Sequence, residues 1–345
     1  EIWPYEKNLQ ASHAYAGSLA AIYEMIDHGV TAFADHYMFP ESIIKAVLET
    51  GIRCDLAPTL FGQSSRFPDD LKKVIRLLEE YMHHDQRLAL RLGPHAPYTC
   101  PPATLKTMVD TARTFGTGIH IHMSETQQQI EESRIAWDKT PFEILASAGG
   151  FEVPAILAHG LWIQPSDRLL LTPKTTIAVS PKTYLKLAMG RGHIWEDSDQ
   201  LPLAIGTDGA ASSNTLNPIE QVELFGLLGK HYTENATQYP LKYLWCMLMR
   251  GHAALPFGSG RIKPGAPADL VLWRLSYPGN MPVHDPLASL IYSHESRQAE
   301  YVMVAGEWLK FEGKVQIDAA RIGHLTTSAV REIIKLGKGS VSIRF

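Results

Sequence analysis

Cysteine is scarce: Cys54, Cys100 and Cys246 are the only three in 345 residues. An odd number so widely spaced excludes a Cys-x-x-Cys zinc site, argues against a disulfide framework and favours a reducing, cytoplasmic setting. Long apolar runs are missing, so no segment predicts a bilayer span and no membrane partner is expected. Charge of one sign is missing too. The 32 Lys and Arg against 36 Asp and Glu give a formal charge of -4, and with no basic run to follow a phosphate backbone, no nucleic-acid partner is expected. Neither internal repeats nor low-complexity tracts occur, which sets aside solenoids and linkers. What remains, 45% hydrophobic and 20% charged residues, is the composition of a globular chain with ample length for a large core. The opening Glu1-Ile2-Trp3-Pro4-Tyr5-Glu6 has no initiator Met and no polar lead-in. It reads as the interior of a domain and predicts a front end upstream of Glu1.

Helical and strand patterns alternate along most of the chain. Residues 12–29 carry a helical stripe (Ala16, Leu19, Ile22, Ile26) closed by a glycine, and 30–34 form a short strand ending on Asp35-His36. The step recurs as helix 42–49 and strand 53–60, helix 69–83 and strand 88–92, helix 101–115 and strand 118–123, helix 141–148 and strand 155–159. A short helix near 166–171, strands 176–180 and 201–206, and a long helical stretch over 219–254 complete the series. So many units predict an α/β fold, a distorted (β/α)8 TIM barrel over residues 1–256 with its first strand or strands lying upstream of Glu1. At Gly258-Ser259-Gly260 and Pro264-Gly265-Ala266-Pro267 the texture changes. Strands at 269–273, 300–304 and 307–309 and a helix at 319–335 predict a small β-sandwich remainder plus a C-terminal helix over 257–345.

The stretch Ile119-His120-Ile121-His122-Met123-Ser124-Glu125 concentrates chemistry. Its period of two puts both histidines on one strand face, and Glu125 follows three residues past His122, where the turning chain lets a carboxylate fold back over a metal held by that histidine. The alternative is a buried strand with two hydrogen-bonded histidines and a helix-capping Ser124. His95, His122, His159 and Asp208 each fall at or just beyond the C-terminal end of a predicted strand, where barrel enzymes gather their catalytic groups. His122 and Asp208 are the candidate metal ligands. Asp208 ends an apolar strand and would be a costly carboxylate without a cation or donors; an Asx turn in Thr207-Asp208-Gly209 is the other reading. His159 taken alone reads equally as a satisfied core histidine. A catalytic zinc acidifies its bound water. For metal-bound hydroxide attacking the amino-bearing carbon of a cyclic amidine, Glu125 and Asp208 would divide the proton transfers and His159 would orient the hydroxide.

Five motifs in order resemble the amidohydrolase superfamily, in the branch of 5-methylthioadenosine/S-adenosylhomocysteine deaminases and triazine chlorohydrolases. They are Trp3-Pro4-Tyr5-Glu6, Gly93-Pro94-His95-Ala96-Pro97-Tyr98, His120-Ile121-His122-Met123-Ser124-Glu125-Thr126, Ala158-His159-Gly160, and Gly206-Thr207-Asp208-Gly209 running to Asn214. The resemblance implies one divalent metal, zinc before iron or manganese, with His122 and Asp208 among its ligands, and Glu125, His159 and Asp208 as the catalytic groups. It implies substrate contacts from Glu125, from His95 to the purine nucleoside and from Glu6 to the ribose hydroxyls. Arg66 falls near the place of a carboxylate-binding arginine. The implied activity is hydrolytic deamination of an adenine nucleoside of the methylthioadenosine or adenosylhomocysteine kind, or of a related amino-heterocycle. An s-triazine amino- or chlorohydrolase is the alternative.

Two features depart from that pattern. The His-x-His pair that completes the metal site should lie upstream of Glu1, which leaves open a metal-free binding or assembly protein. Thr183-Tyr184 stands where Ser-Asn is common, and predicts a narrowed or repolarised pocket. His120 is expected beside the site rather than in it. A small-molecule substrate is the expected partner, and the helices of 219–254 leave room for a homo-oligomer.

Overall fold

The structure, a computed structural model, describes residues 2–81, 84–196, 198–293 and 298–336. Parallel pairing organises its first two thirds. Ala32–Asp35 pairs with Arg53–Leu56, which pairs with Leu88–Leu90, and a bridge from Leu92 to Ile119 hands the ladder on. From there Ile119–Met123, Ala155–His159, Thr175–Val179 and Leu203–Ile205 run side by side. Helices on the outside, among them Ala11–Asp27, Pro40–Thr50, Phe67–Tyr81 and Pro102–Thr114, alternate with these strands. This is the predicted (β/α) barrel.

Local chemistry explains the units. Pro40 enters its helix in the first turn and Gly51, at φ +81°, stops it two residues before the strand from Arg53. In Phe67–Tyr81 the buried residues Leu71, Val74, Leu77 and Leu78 form one stripe, while Asp69 and Asp70 sit at the positive end of the helix dipole. Burying each such leucine contributes roughly 1.5–3 kcal/mol. The predicted end of this helix at residue 83 lies outside the described residues.

Two expectations are corrected, and one helix is added. The strand expected over 53–60 breaks into Arg53–Leu56 and Thr59–Leu60, because Pro58 has no N–H for the ladder. The second piece pairs instead with Gly93–Pro94, at a place where a Cβ on Gly93 would lie 2.4 Å from the Pro58 carbonyl oxygen. The stretch 219–254 is two helices, Pro218–Thr233 and Leu241–Ala254, the second starting just after Pro240. A helix that no periodicity announced, Gln127–Trp137, buries only Ile130 and starts at Thr126, whose hydroxyl accepts the Gln129 N–H.

Beyond residue 257 an antiparallel sheet forms from Leu270–Trp273, Ala299–Val304, Glu307–Phe311 and Lys314–Val315. Not all of this span belongs to the sheet: Pro286–Tyr292 packs on Pro218–Thr233, and Ala319–Leu336 lies along Ala11–Asp27. One buried and one half-buried ion pair fasten the sheet to the barrel. Arg53 donates from Nε and one terminal nitrogen to the Asp269 carboxylate at 2.7 and 2.9 Å, and Lys310 Nζ reaches Asp27 Oδ1 at 2.6 Å. Arg53 opens its strand, so this fastening lies at the end of the barrel away from the mouth described next. Among the described residues no helix is long and apolar enough to cross a membrane.

Candidate active site

The C-terminal ends of the parallel strands carry a cluster of imidazoles. On Ile119–Met123 the three apolar side chains are fully buried and the histidines take the other face, as the alternation predicts. His122 is the hub: its ring centroid lies 4.9 Å from His36, 5.1 Å from His95 and 5.5 Å from His159. His120, one rung deeper, lies 5.2 Å from His36. Burial, reinforced by the neighbouring imidazoles, holds His36, His120 and His122 below the usual histidine range and brings His95 down to about 4. These rings are neutral at pH 7, the form in which imidazole has a lone pair to offer. His122 Nδ1 donates to the His95 carbonyl oxygen at 2.8 Å, which fixes the tautomer and leaves Nε2 as the acceptor.

The carboxylates expected around this hub come from three directions. Glu125 lies past the turn made by Ser124 at φ +45°, with Oε1 at 3.9 Å from His159 Nε2. Gln129 clamps it: the Glu125 N–H donates to Gln129 Oε1 at 2.9 Å and Gln129 Nε2 donates to Glu125 Oε2 at 3.3 Å. Asp208, at φ +57°, is exposed rather than buried, and its Oδ1 accepts the Gly209 N–H at 2.7 Å. That bond reaches the next residue and not the one after it, so the Asx turn of the other reading does not form, while the charges of Glu125 and Asp208 both act on His122 to favour its protonated form. Glu6 accepts a 2.6 Å hydrogen bond from the Tyr37 hydroxyl, next in the chain to His36, so the first described helix, Ile2–Glu6, meets the rim of the cluster. Arg66 stays on the surface, with a terminal nitrogen 3.4 Å from Asp70.

Two of these groups have the chemistry of metal ligands. His122 presents a neutral nitrogen oriented from behind by a carbonyl, and Asp208 a carboxylate of which Oδ1 accepts the Gly209 N–H. Among the described residues no set of three or more His, Cys, Asp and Glu side chains is arranged to hold a metal ion by itself. By donor chemistry alone, His122 and Asp208 could serve as two ligands of a metal whose further positions fall to other donors or water.

Several participants were not singled out in the sequence. His36 follows its strand just as His95 and Asp208 follow theirs, and that shared position was the available signal. It donates from Nε2 to the Gly93 carbonyl at 3.1 Å, and its Nδ1 is buried without a partner. Phe61 and Tyr98 flank the His95 ring at 4.8 and 5.7 Å, and beside Glu125 a cavity of about 210 Å3 opens between Tyr98, Ser124, Gln129 and Trp137. Ser124 does not cap the helix; Thr126 does, and the Ser124 hydroxyl is buried without a partner. Tyr184 is buried, with its hydroxyl turned to backbone rather than into the pocket, so it does not repolarise the site as expected.

Known proteins resemble this chain in sequence and in fold. A 5-methylthioadenosine/S-adenosylhomocysteine deaminase of Pelotomaculum thermopropionicum is 36% identical over 313 residues, 89% of this chain and 72% of the relative. Among solved structures, a zinc-bound adenosine deaminase from Xanthomonas campestris superposes with a TM-score of 0.91 at 24% identity, covering 97% of this chain and 79% of the other. An atrazine chlorohydrolase variant from Arthrobacter aurescens with zinc and atraton superposes with a TM-score of 0.88 at 22% identity, covering 95% and 79%. Identities this low speak for the fold alone. The model of the amidohydrolase family matches residues 4–309. With nearly the whole barrel and most of the antiparallel sheet inside that match, the chain belongs to the amidohydrolase family.

Proposed function

We propose that this chain is a metal-dependent hydrolytic deaminase of adenine nucleosides whose 5′ position carries a thioether or a related substituent. The observation that carries the reading is the approach of the Glu125 carboxylate to His159, 3.9 Å away, beside a neutral His122 whose Nε2 is free. The likeness to a deaminase of such nucleosides over 89% of the chain supports the substrate class.

His122 and Asp208 would hold one divalent ion, zinc being the first choice for a nitrogen and carboxylate donor set. Bound there, such an ion supplies Lewis acidity that makes water nucleophilic near neutral pH. Water adds to the amino-bearing carbon of the purine while Glu125 delivers a proton to the adjacent ring nitrogen. Asp208 takes one proton from the water and passes it to the departing ammonia, and Glu125 recovers a proton from the added hydroxyl as the ring carbonyl forms, so one C–O bond forms and one C–N bond breaks. His159 donates a hydrogen bond to the attacking oxygen, and Gln129 keeps Glu125 turned toward the same point. His95, with Phe61 and Tyr98 beside it, offers the purine an aromatic wall, and Glu6 offers two acceptor oxygens to the ribose hydroxyls. An s-triazine substrate rests on the shared fold only and is the weaker reading.

The test is ammonia release by the metal-replete protein from methylthioadenosine, adenosylhomocysteine, adenosine and melamine. Turnover of the substituted nucleosides ahead of melamine is expected. Release from none of the nucleosides refutes the proposal.

A further inference from the structure

We infer that Tyr184 is a positioning residue for His159, acting through the backbone at the mouth of the barrel; the inference rests on the role proposed above for His159. The strands Ala155–His159 and Thr175–Val179 pair through Ala158 and Ala178 and then diverge. Beyond that last rung, His159 turns into the left-handed region at φ +73°, followed by Gly160 at φ +58°. A non-glycine residue in this conformation needs its surroundings to hold it there. Gly160 is held by its own N–H, which donates to the Met123 carbonyl at 2.9 Å, and a Cβ in its place would lie 2.9 Å from Ile177.

The carbonyl of His159 is held by Tyr184. The Tyr184 hydroxyl accepts the Ser180 N–H at 3.0 Å and donates to the His159 oxygen at 3.3 Å. One phenol oxygen thus replaces the rung that the diverging strands can no longer make, using its donor and acceptor capacity at once. The ring adds a second restraint, 5.9 Å from the His159 imidazole and 4% exposed. No side-chain hydrogen bond fixes the His159 ring: Nδ1 is buried and unbonded, and the Glu125 carboxylate stands 3.9 Å from Nε2, beyond hydrogen-bond distance. Its direction is therefore set by backbone conformation and by ring packing, and Tyr184 supplies part of both.

Tyr184→Phe keeps the ring and deletes the rung. Tyr243→Phe is the control: the Tyr243 hydroxyl also donates to a buried backbone carbonyl, that of Ser198 at 2.9 Å, on a helix outside the imidazole cluster. Thermal midpoints of both variants report the general cost of losing such a bond. Full-length metal-loaded and metal-free proteins are labelled with diethylpyrocarbonate, and modification of His159 relative to His95 is followed by mass spectrometry alongside steady-state kinetics. Tyr184→Phe is expected to accelerate labelling of His159 severalfold and to lower kcat about 10- to 100-fold with little change in KM. Tyr243→Phe is expected to do neither. Unchanged labelling of His159 in Tyr184→Phe overturns the inference whatever happens to turnover, and so does an equal effect of Tyr243→Phe. Faster labelling in a protein whose parent is inert toward every adenine nucleoside supports the positioning role and refutes the deaminase reading instead.

Discussion

The pair between Arg53 and Asp269 lets a stability prediction be worked from geometry. Their side chains are 3% and 1% exposed. Besides the two bonds to Asp269, Arg53 donates to the Gln86 carbonyl at 2.8 Å, and Asp269 Oδ1 also accepts the Ala305 N–H at 2.9 Å. Asp269→Ala strips the acceptor from two charged donors and one amide and leaves a guanidinium buried without a counter-charge. Removing one member of a buried pair costs about 3–5 kcal/mol. With an unfolding entropy near 2.1 cal/mol/K per residue over the chain, that is a fall in thermal midpoint of roughly 4–7 °C. Replacing both residues with apolar ones, Arg53→Met with Asp269→Leu, removes the stranded charge and leaves only the unpaired Ala305 N–H and Gln86 carbonyl. The double variant is expected to recover at least about 2 kcal/mol relative to the sum of the single variants. Differential scanning calorimetry at one scan rate and urea titration of the parent, Asp269→Ala, Arg53→Met, Asp269→Leu and the double variant measure it. A midpoint shift below about 1 °C for Asp269→Ala, or strict additivity in the cycle, would show that the pair does not hold the antiparallel sheet to the barrel.

Two further outcomes are expected. Glu125→Gln keeps the clamp to Gln129 possible but cannot carry the proton, so metal content measured by atomic emission stays at the parent level while kcat falls about 10²- to 10⁴-fold; a fully active variant removes Glu125 from the reaction. Asp167 is fully buried, accepting from the Thr140 hydroxyl at 2.6 Å and the Gln164 N–H at 2.9 Å. Burial raises its carboxyl above the usual range, against the lowering effect of those two donors. A folded-state value above the unfolded one means that protonation favours the folded chain, an advantage lost as pH rises through the folded value. The stability difference between the parent and the non-titrating Asp167→Asn therefore shrinks as pH rises above the usual carboxylate range; a difference that grows with rising pH contradicts the assignment.

Much of the barrel was readable because its signals are periodic. Alternation in Ile119–Met123 separated core from mouth, and glycines such as Gly51 marked where helices hand over to strands. The break at Pro240 was equally visible as a residue and was overrun by the apolar pattern on both sides of it. Gln127–Trp137 was not legible: with only Ile130 buried it has no stripe, and its start depends on a cap at Thr126. At the candidate site, residues that share a position at strand ends could be picked out one by one, although His36 was passed over. The connections between them could not. The Gln129 clamp needs the helix that periodicity hid, and the bond from Tyr184 to His159 spans 25 residues and arises only because adjacent strands diverge.

Ser124, His159 and Asp208 share a left-handed backbone at the points where their strands leave the barrel wall. Only a short menu of side chains tolerates that bend; valine, isoleucine and threonine are poor fits, and glycine fits but carries no functional group. Re-engineering this barrel for another reaction therefore cannot treat these three positions as free letters. A designer who wants a new group at one of them must either choose from residues that accept the bend or rebuild the loop that imposes it.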